Sequence, residues 1–388
     1  MVSRSRTRPG LPLAGLRVVA LEQAVAARLC TRHLADLGAD VVKVERPDGG
    51  DFARGYDSVV NGQSAYFVWL NRGKRSVALD LRDAADRAVL EALLDRADVL
   101  VHNFGPGAIE RLGLGWEALH ARRPRIVSCA ISGFGEDGPY RDRKSFDLLL
   151  QGESGVMSIT GTPDGPAKVG ISIADIGGGM YALAAILAAL HERERSGEGR
   201  AIDISLLECL AEWMMAPAYH QLYAGAAPER AGMRHNMVVP YGPYRAGDGG
   251  HVNLAAQTAR QWEAFCEIVL RRPELARDPR FATNELRVRN RAALEPLIEA
   301  CFARETRAAV EERLARADIP YGALNSVADL LEHPQLAARG RWSEVPSPAG
   351  SVRALAHPLN IAGLPRPGGA VPALGQHGGE IRRELGLE

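Results

Sequence analysis

Asp175 lies in the run Ile173-Ala174-Asp175-Ile176-Gly177-Gly178-Gly179-Met180-Tyr181, where an extended stretch gives way to a long apolar helix. A carboxylate beside bare backbone can attack an activated acyl carbon, such as that of a thioester or anhydride. The same residue type also caps helix N-termini, and the two roles are compatible, because the positive end of a helix keeps a carboxylate ionised. A cap alone does not call for three glycines, which are poor helix formers. The free N–H groups of Gly177, Gly178 and Gly179 are therefore candidates for steadying an oxyanion.

Three basic clusters come next: Arg72, Lys74 and Arg75; Arg122, Arg123 and Arg125; Arg141, Arg143 and Lys144. Each alone reads as a solvated face. Together, near the ends of expected strands, they suit a ligand bearing several phosphates. Asn103-Phe104-Gly105-Pro106-Gly107 follows an expected strand, the place where open α/β sheets bind ligands. The ten histidines show no metal-like spacing, and Gly-x-Ser-x-Gly is missing. Cys129 sits in an apolar run and reads as an inert core thiol.

Positioning these residues requires strands alternating with helices. Runs at 16–21, 41–44, 98–102, 125–132 and 200–205 read as strands. Helices are expected over 26–37, with Ala26, Leu29, Cys30, Leu34 and Leu37 on one face, from Ile176 to about Arg193, and over 206–216. The expected fold is α/β, with a Rossmann-like, mostly parallel sheet in a large domain plus a smaller α+β domain. The expected divisions are 1–220, 221–325 and a C-terminal segment, 326–388, returning to the large domain. The loop Glu22-Gln23-Ala24-Val25-Ala26-Ala27 lacks the glycines of a dinucleotide fingerprint, which argues against a nicotinamide or flavin.

The 388 residues carry 47 basic and 47 acidic side chains, so no overall field favours nucleic acid or a membrane surface. Five scattered cysteines fit a reducing cytoplasm. The apolar run near 181–190 reads as interrupted and too short to span a bilayer.

Taken in order, several segments resemble the class III CoA-transferases, the family of the formyl-CoA and carnitine-CoA transferases. They are Leu13–Val18, Leu37-Gly38-Ala39-Asp40-Val41-Val42-Lys43-Val44-Glu45-Arg46-Pro47, Leu70–Ser76, Asn103–Gly107, Gly133–Tyr140, Asp278–Phe281 and His333–Trp342. The resemblance implies that Asp175 is the covalent nucleophile. It places Arg46, Leu79, Asn103, Phe104, Ala108, Arg111, Lys144 and Leu206 along a CoA site. It further implies an interlocked homodimer that acts on an acyl-CoA and a small carboxylic acid, with CoA as part of the substrate and no tightly bound cofactor or metal.

The chain departs from the family pattern in three places. Ala26-Ala27-Arg28 stands where a Gly-Pro pair is usual. Tyr244–Gly250 is much shorter than the glycine-rich flap of formyl-CoA transferase. Phe146 replaces the histidine that α-methylacyl-CoA racemases carry, and without a second acid/base two-sided proton transfer is hard to run. The loop after the first strand and Asp51–Asp57 most resemble members acting on C4–C5 dicarboxylic acids such as mesaconyl-CoA or succinyl-CoA. There Arg28 or Arg54 could pair with a remote carboxylate. Intramolecular CoA transfer and non-catalytic acyl-CoA binding are the remaining alternatives.

Overall fold

The computed structural model describes residues 10–364 and 368–387. It divides into two compact units. The first comprises 1–154, 170–213 and 335–388, and the second 155–169 and 214–334. The division differs from the expected boundaries chiefly at 155–169, which cluster with the second unit, and in the C-terminal return, which starts at 335.

The first unit is built on β1 (Arg17–Leu21), β2 (Asp40–Glu45), β3 (Arg75–Ala78), β4 (Val99–His102), β5 (Val127–Ser132) and β6 (Ala201–Ser205). They form one parallel sheet in the order β3-β2-β1-β4-β5-β6, as expected for this fold class. Val18 pairs with Val41 on one side and Val99 on the other. Near-continuous Val, Leu and Ile runs make strands buried on both faces. β3 was not expected. Its Arg-Ser-Val-Ala sequence carries too few apolar residues to register as a strand, yet its arginine is buried in ion pairs.

Four helices matter for the site: α1 (Ala26–Asp36), α2 (Asp147–Glu153), α3 (Ile173–Ser196) and α4 (Leu206–Trp213). Helix α3 starts three residues earlier than expected, because Asp147 from α2 accepts the N–H groups of Ala174 and Asp175 at 2.7 and 3.4 Å. The extension gives α3 24 residues, long and apolar enough to cross a bilayer, against the expectation of too short a run. Half of its most apolar stretch is nevertheless buried within the protein. The expected helix over 206–216 ends at Trp213, and a separate helix runs Met215–Ala224.

The C-terminal segment is held to the first unit by Glu384, which pairs with Arg75 at 2.8 Å and Arg17 at 3.3 Å. Ser76 Oγ accepts the Gly375 N–H at 2.9 Å.

The second unit carries an antiparallel sheet of Tyr241–Arg245, His251–Ala255 and Tyr321–Ala323. Its core is strongly aromatic, with Tyr244, Trp262, Phe265, Phe281 and Phe302 buried around Leu254 and Ile298. The shortened flap segment forms the turn between the first two of these strands.

Candidate active site

Asp175 occupies the third position of α3 and is half-buried. Asp147, not Asp175, takes the capping role. Its Oδ1 binds the helix amides, and its Oδ2 accepts from Gln151 Nε2 at 2.7 Å. Among the described residues, the Asp175 carboxylate has no hydrogen bond and no ion pair. Burial, and then the neighbouring Asp147 charge, push its carboxyl up to about 7, against the opposing pull of Arg28. The result is an unpaired carboxylate, part-desolvated and more basic than usual, the kind of group that can serve as an oxygen nucleophile.

The three glycines have another purpose than the expected one. They lie five to seven residues into α3, where helix N–H groups bond the carbonyls four residues back, so they are not free oxyanion donors. What they provide is close approach. A Cβ on Gly177 would sit 2.8 Å from the Trp213 ring, one on Gly178 would sit 2.1 Å from Leu206 Cδ2, and one on Gly179 would sit 2.7 Å from the Ala26 carbonyl oxygen. Bare backbone on three successive residues lets α1 and α4 press onto α3.

The expected CoA-site residues gather mainly at the carboxyl edge of the sheet. Arg46 follows β2, Leu79 follows β3, Asn103 and Phe104 follow β4, and Leu206 follows β6. Strand order reverses between β1 and β4, the crevice where ligands bind in open α/β sheets. There Asn103 holds the first loop, accepting from Gln23 N at 2.9 Å and donating to Gln23 O at 2.8 Å. Next to this grip Ala24 has φ 57°, an uncommon conformation for a residue with a Cβ. A cavity of about 500 Å³ opens above this edge, lined by Gln23, Arg46, Leu79, Arg82 and Phe104 among others. Leu206 is instead packed on Gly178. Ala108 and Arg111 lie in the four-residue helix that follows Gly107. Lys144 is exposed just ahead of α2. Asn103, Ala108, Arg111, Lys144 and Leu206 do not line the cavity.

Two of the basic clusters turn out to be structural. Arg72 pairs with Asp36 at 2.8 Å, Lys74 with Glu22 at 2.6 Å and Arg75 with Glu384, while Arg122 and Arg123 bind Glu91. Arg54, expected as a carboxylate receptor, is already occupied. It grips Glu45 with Nε and Nη2, both at 2.8 Å, and stacks 3.7 Å over the Phe67 ring.

Arg28 is different. It lies in the first turn of α1, wholly buried, within 3.3 Å of Asp51. None of its three guanidinium nitrogens makes a hydrogen bond. Its charge is felt by Asp175 and by the Tyr56 phenol. Around it, Lys43 Nζ donates to Asp51 at 2.9 Å, and Thr31 Oγ1 donates to Glu22 at 2.5 Å. Burial works to raise the Glu22 carboxyl, but Lys74 and Lys43 overcome it and hold it down at about 2. Phe52, Tyr56, Tyr66 and Trp69 form a run of tilted and edge-on ring contacts beside the site, and Tyr66 Oη lies 3.5 Å from Ser172 Oγ.

Sequence spacing gave no sign of one further cluster. His33 and His357 are 324 residues apart, yet Nδ1 of one lies 2.7 Å from Nε2 of the other, beside Asp36. Arg72 and Arg32 both pair with Asp36, so its charge is already answered. The larger hollow in the second unit, about 1740 Å³, contains none of the expected site residues.

The chain resembles known proteins over nearly its whole length. A family model described as CoA-transferase family III matches residues 13–378. The chain is 35% identical to an acetyl-CoA:oxalate CoA-transferase of Acetobacter aceti, over 99% of this chain and 98% of that one. It is 35% identical to a succinyl-CoA:glutarate CoA-transferase of Mus musculus, over 96% of this chain and 86% of that one. A crystal structure of a CAIB/BAIF family protein from Brucella suis superposes with a TM-score of 0.84 at 37% identity, covering 97% of this chain and all of that one. With a match spanning nearly its whole length, the chain belongs to CoA-transferase family III and is a CoA-transferase.

Proposed function

We propose that this protein moves CoA between an acyl-CoA thioester and a small dicarboxylic acid, with Asp175 carrying the acyl group in passage. The observation that supports this most directly is the Asp175 carboxylate itself, half-buried, unpaired and held at the mouth of α3. The choice of dicarboxylic acids draws on the relatives named for oxalate and glutarate.

In the first step an Asp175 oxygen attacks the thioester carbonyl. The carbon–sulfur bond breaks, leaving a mixed anhydride and the CoA thiolate. The thiolate then attacks the Asp175 carbonyl, expels the donor carboxylate and forms an aspartyl-CoA thioester. The acceptor carboxylate displaces CoA from that thioester to make a second anhydride. Attack by the thiolate on the acceptor's acyl carbon yields the new acyl-CoA and restores Asp175. Thioester energy is conserved, so each intermediate needs shelter from water. The cavity at the carboxyl edge, with Arg46 and Arg82 at its rim, suits the nucleotide end of CoA.

Two copies are expected to assemble. Exposed apolar side chains support this: Phe146, Leu148, Leu149 and Ile171 in the first unit, and Tyr219, Leu222 and Tyr223 in the second. Five free cysteines suit a cytoplasmic setting.

Mass spectrometry after exposure to a panel of acyl-CoAs tests the reading. The expected result is a CoA adduct on the peptide containing Asp175, lost in Asp175→Asn. Turnover with no adduct there, or with an adduct on another residue, would overturn it.

A further inference from the structure

Three cations, Arg28, Lys43 and Lys74, are buried together with only two carboxylates, Glu22 and Asp51. The lysines use up both acids. Lys74 Nζ donates to Glu22 at 2.6 Å and Lys43 Nζ to Asp51 at 2.9 Å, while Asp51 Oδ1 also accepts the Ala53 N–H. Arg28 is left with a single 3.3 Å charge contact and no hydrogen bond. A buried cation in that state is costly, and an incoming anion would offset that cost. The surroundings favour an anion. Arg28 is in the first turn of α1, a helix with no side-chain cap, so the positive end of the helix adds to the guanidinium charge.

We propose that Arg28 receives the second, non-reacting carboxylate of a dicarboxylic substrate and thereby sets the preference for diacids over monoacids. A guanidinium offers paired N–H donors that match both oxygens of a carboxylate, which Lys43 and Lys74 could not do. The partly exposed rings of Phe52, Tyr56 and Trp69 beside the site suit the short carbon chain between the two acid groups. The timing follows from charge. In the free enzyme the Asp175 carboxylate helps balance Arg28. Once Asp175 is acylated or carries CoA, its negative charge is gone, and the unbalanced guanidinium draws in the next diacid. The inference rests on Asp175 being the acylated group.

The test compares succinate with butyrate and glutarate with valerate as acceptors, using whichever donor loads Asp175. Wild type is expected to favour each diacid by roughly 100-fold in kcat/KM, because a site built around a polar group strongly rejects analogues that lack it. In Arg28→Met the preference should fall to about threefold or less, and Arg28→Lys, a charge without the fork, should fall between. A wild-type ratio near one overturns the proposal without any variant, which covers a misfolded Arg28→Met. So does an Arg28→Met that folds and keeps the wild-type ratio. Failure of wild type to load Asp175 counts against the nucleophile. Loading without a diacid preference counts against Arg28 alone.

Discussion

Each unit buries arginines, and Arg28 of the first and Arg287 of the second are treated in opposite ways. In the second unit Arg287 is 2% exposed. It donates to the Val239 carbonyl at 2.7 Å and the Phe281 carbonyl at 3.1 Å, and it stacks 4.8 Å over Trp262. In the first unit Arg28 is more deeply buried and makes no hydrogen bond. The neighbourhoods differ in the same way. Arg287 packs against an aromatic core that excludes water, whereas Arg28 belongs to a charged cluster that senses the Asp175 carboxylate. A buried polar group whose bonds are all met locks a fold, and one whose bonds are unmet is strain kept for another use.

The largest effect that should separate the units is on activity. Asp175→Asn keeps the shape and removes the proposed nucleophile, so transfer should fall by at least about 10³-fold. Its melting temperature should hold or rise, since a part-buried carboxylate has been neutralised. Leu254→Ala in the second unit should do the reverse, costing about 2–5 kcal/mol by opening a cavity while turnover per folded molecule holds. Steady-state kinetics beside thermal unfolding reads both. Large losses of stability in Asp175→Asn would erase the distinction.

The arginines themselves provide the next test. Arg287→Met strands two backbone carbonyls in the core and should cost about 2–4 kcal/mol. Arg28→Met leaves Asp51 still paired with Lys43, so its cost should stay within about 1 kcal/mol, and a gain is allowed. Denaturant unfolding of the two variants measures the difference. Equal losses would mean that Arg28 is as structural as Arg287.

The parallel sheet was legible because strands such as Val41, Val42 and Val44, buried on both faces, announce themselves by apolar runs. Asp175 stands out in the sequence because a carboxylate followed by three glycines is a poor way to start a helix. Helix α1 is legible only in part. Its sequence shows one apolar face, yet Arg28, Thr31, Arg32, His33 and Asp36 are buried as well. Their partners, among them Glu22, Asp51, Arg72 and His357, come from other segments, and hydrophobic periodicity carries no signal for such pairs. The same blindness made Arg72, Lys74 and Arg75 look like phosphate binders. The glycines stand out in the sequence for their missing side chains and point there to amide donation, because packing by α1 and α4 depends on tertiary contacts.

Glycine substitutions should sharpen the contrast within the first unit. On Gly179 a methyl would press into the Ala26 carbonyl oxygen, part of the backbone of α1, and the helix must shift. On Gly178 it meets the far end of Leu206, which can rotate away. Gly179→Ala should therefore cost about 1–3 kcal/mol and more than Gly178→Ala. It should also lower activity, because α1 carries Arg28. The opposite ranking in thermal unfolding would show that α1 yields more readily than the side chain does.

The smallest effect is on pH. In the proposed mechanism Asp175 must be ionised to attack, so the rate should rise with pH through about 7, where burial and Asp147 have placed its carboxyl. Stability runs the other way. A carboxyl raised in the folded state stabilises fully below about 4, its unfolded value, and that contribution is lost as pH rises through about 7. Asp147→Asn keeps an oxygen to cap α3 but removes the like charge, leaving Arg28 and the Tyr56 phenol as the other ionisable groups that sense Asp175. The acid limb of the rate profile should then move to lower pH, by up to about one unit. Burial, the larger cause, stays, so a full return to the ordinary carboxylate range is not expected. A limb that stays put would mean that Asp147 only holds the helix, and one that moves upward would mean that the variant has lost the cap and further buried Asp175.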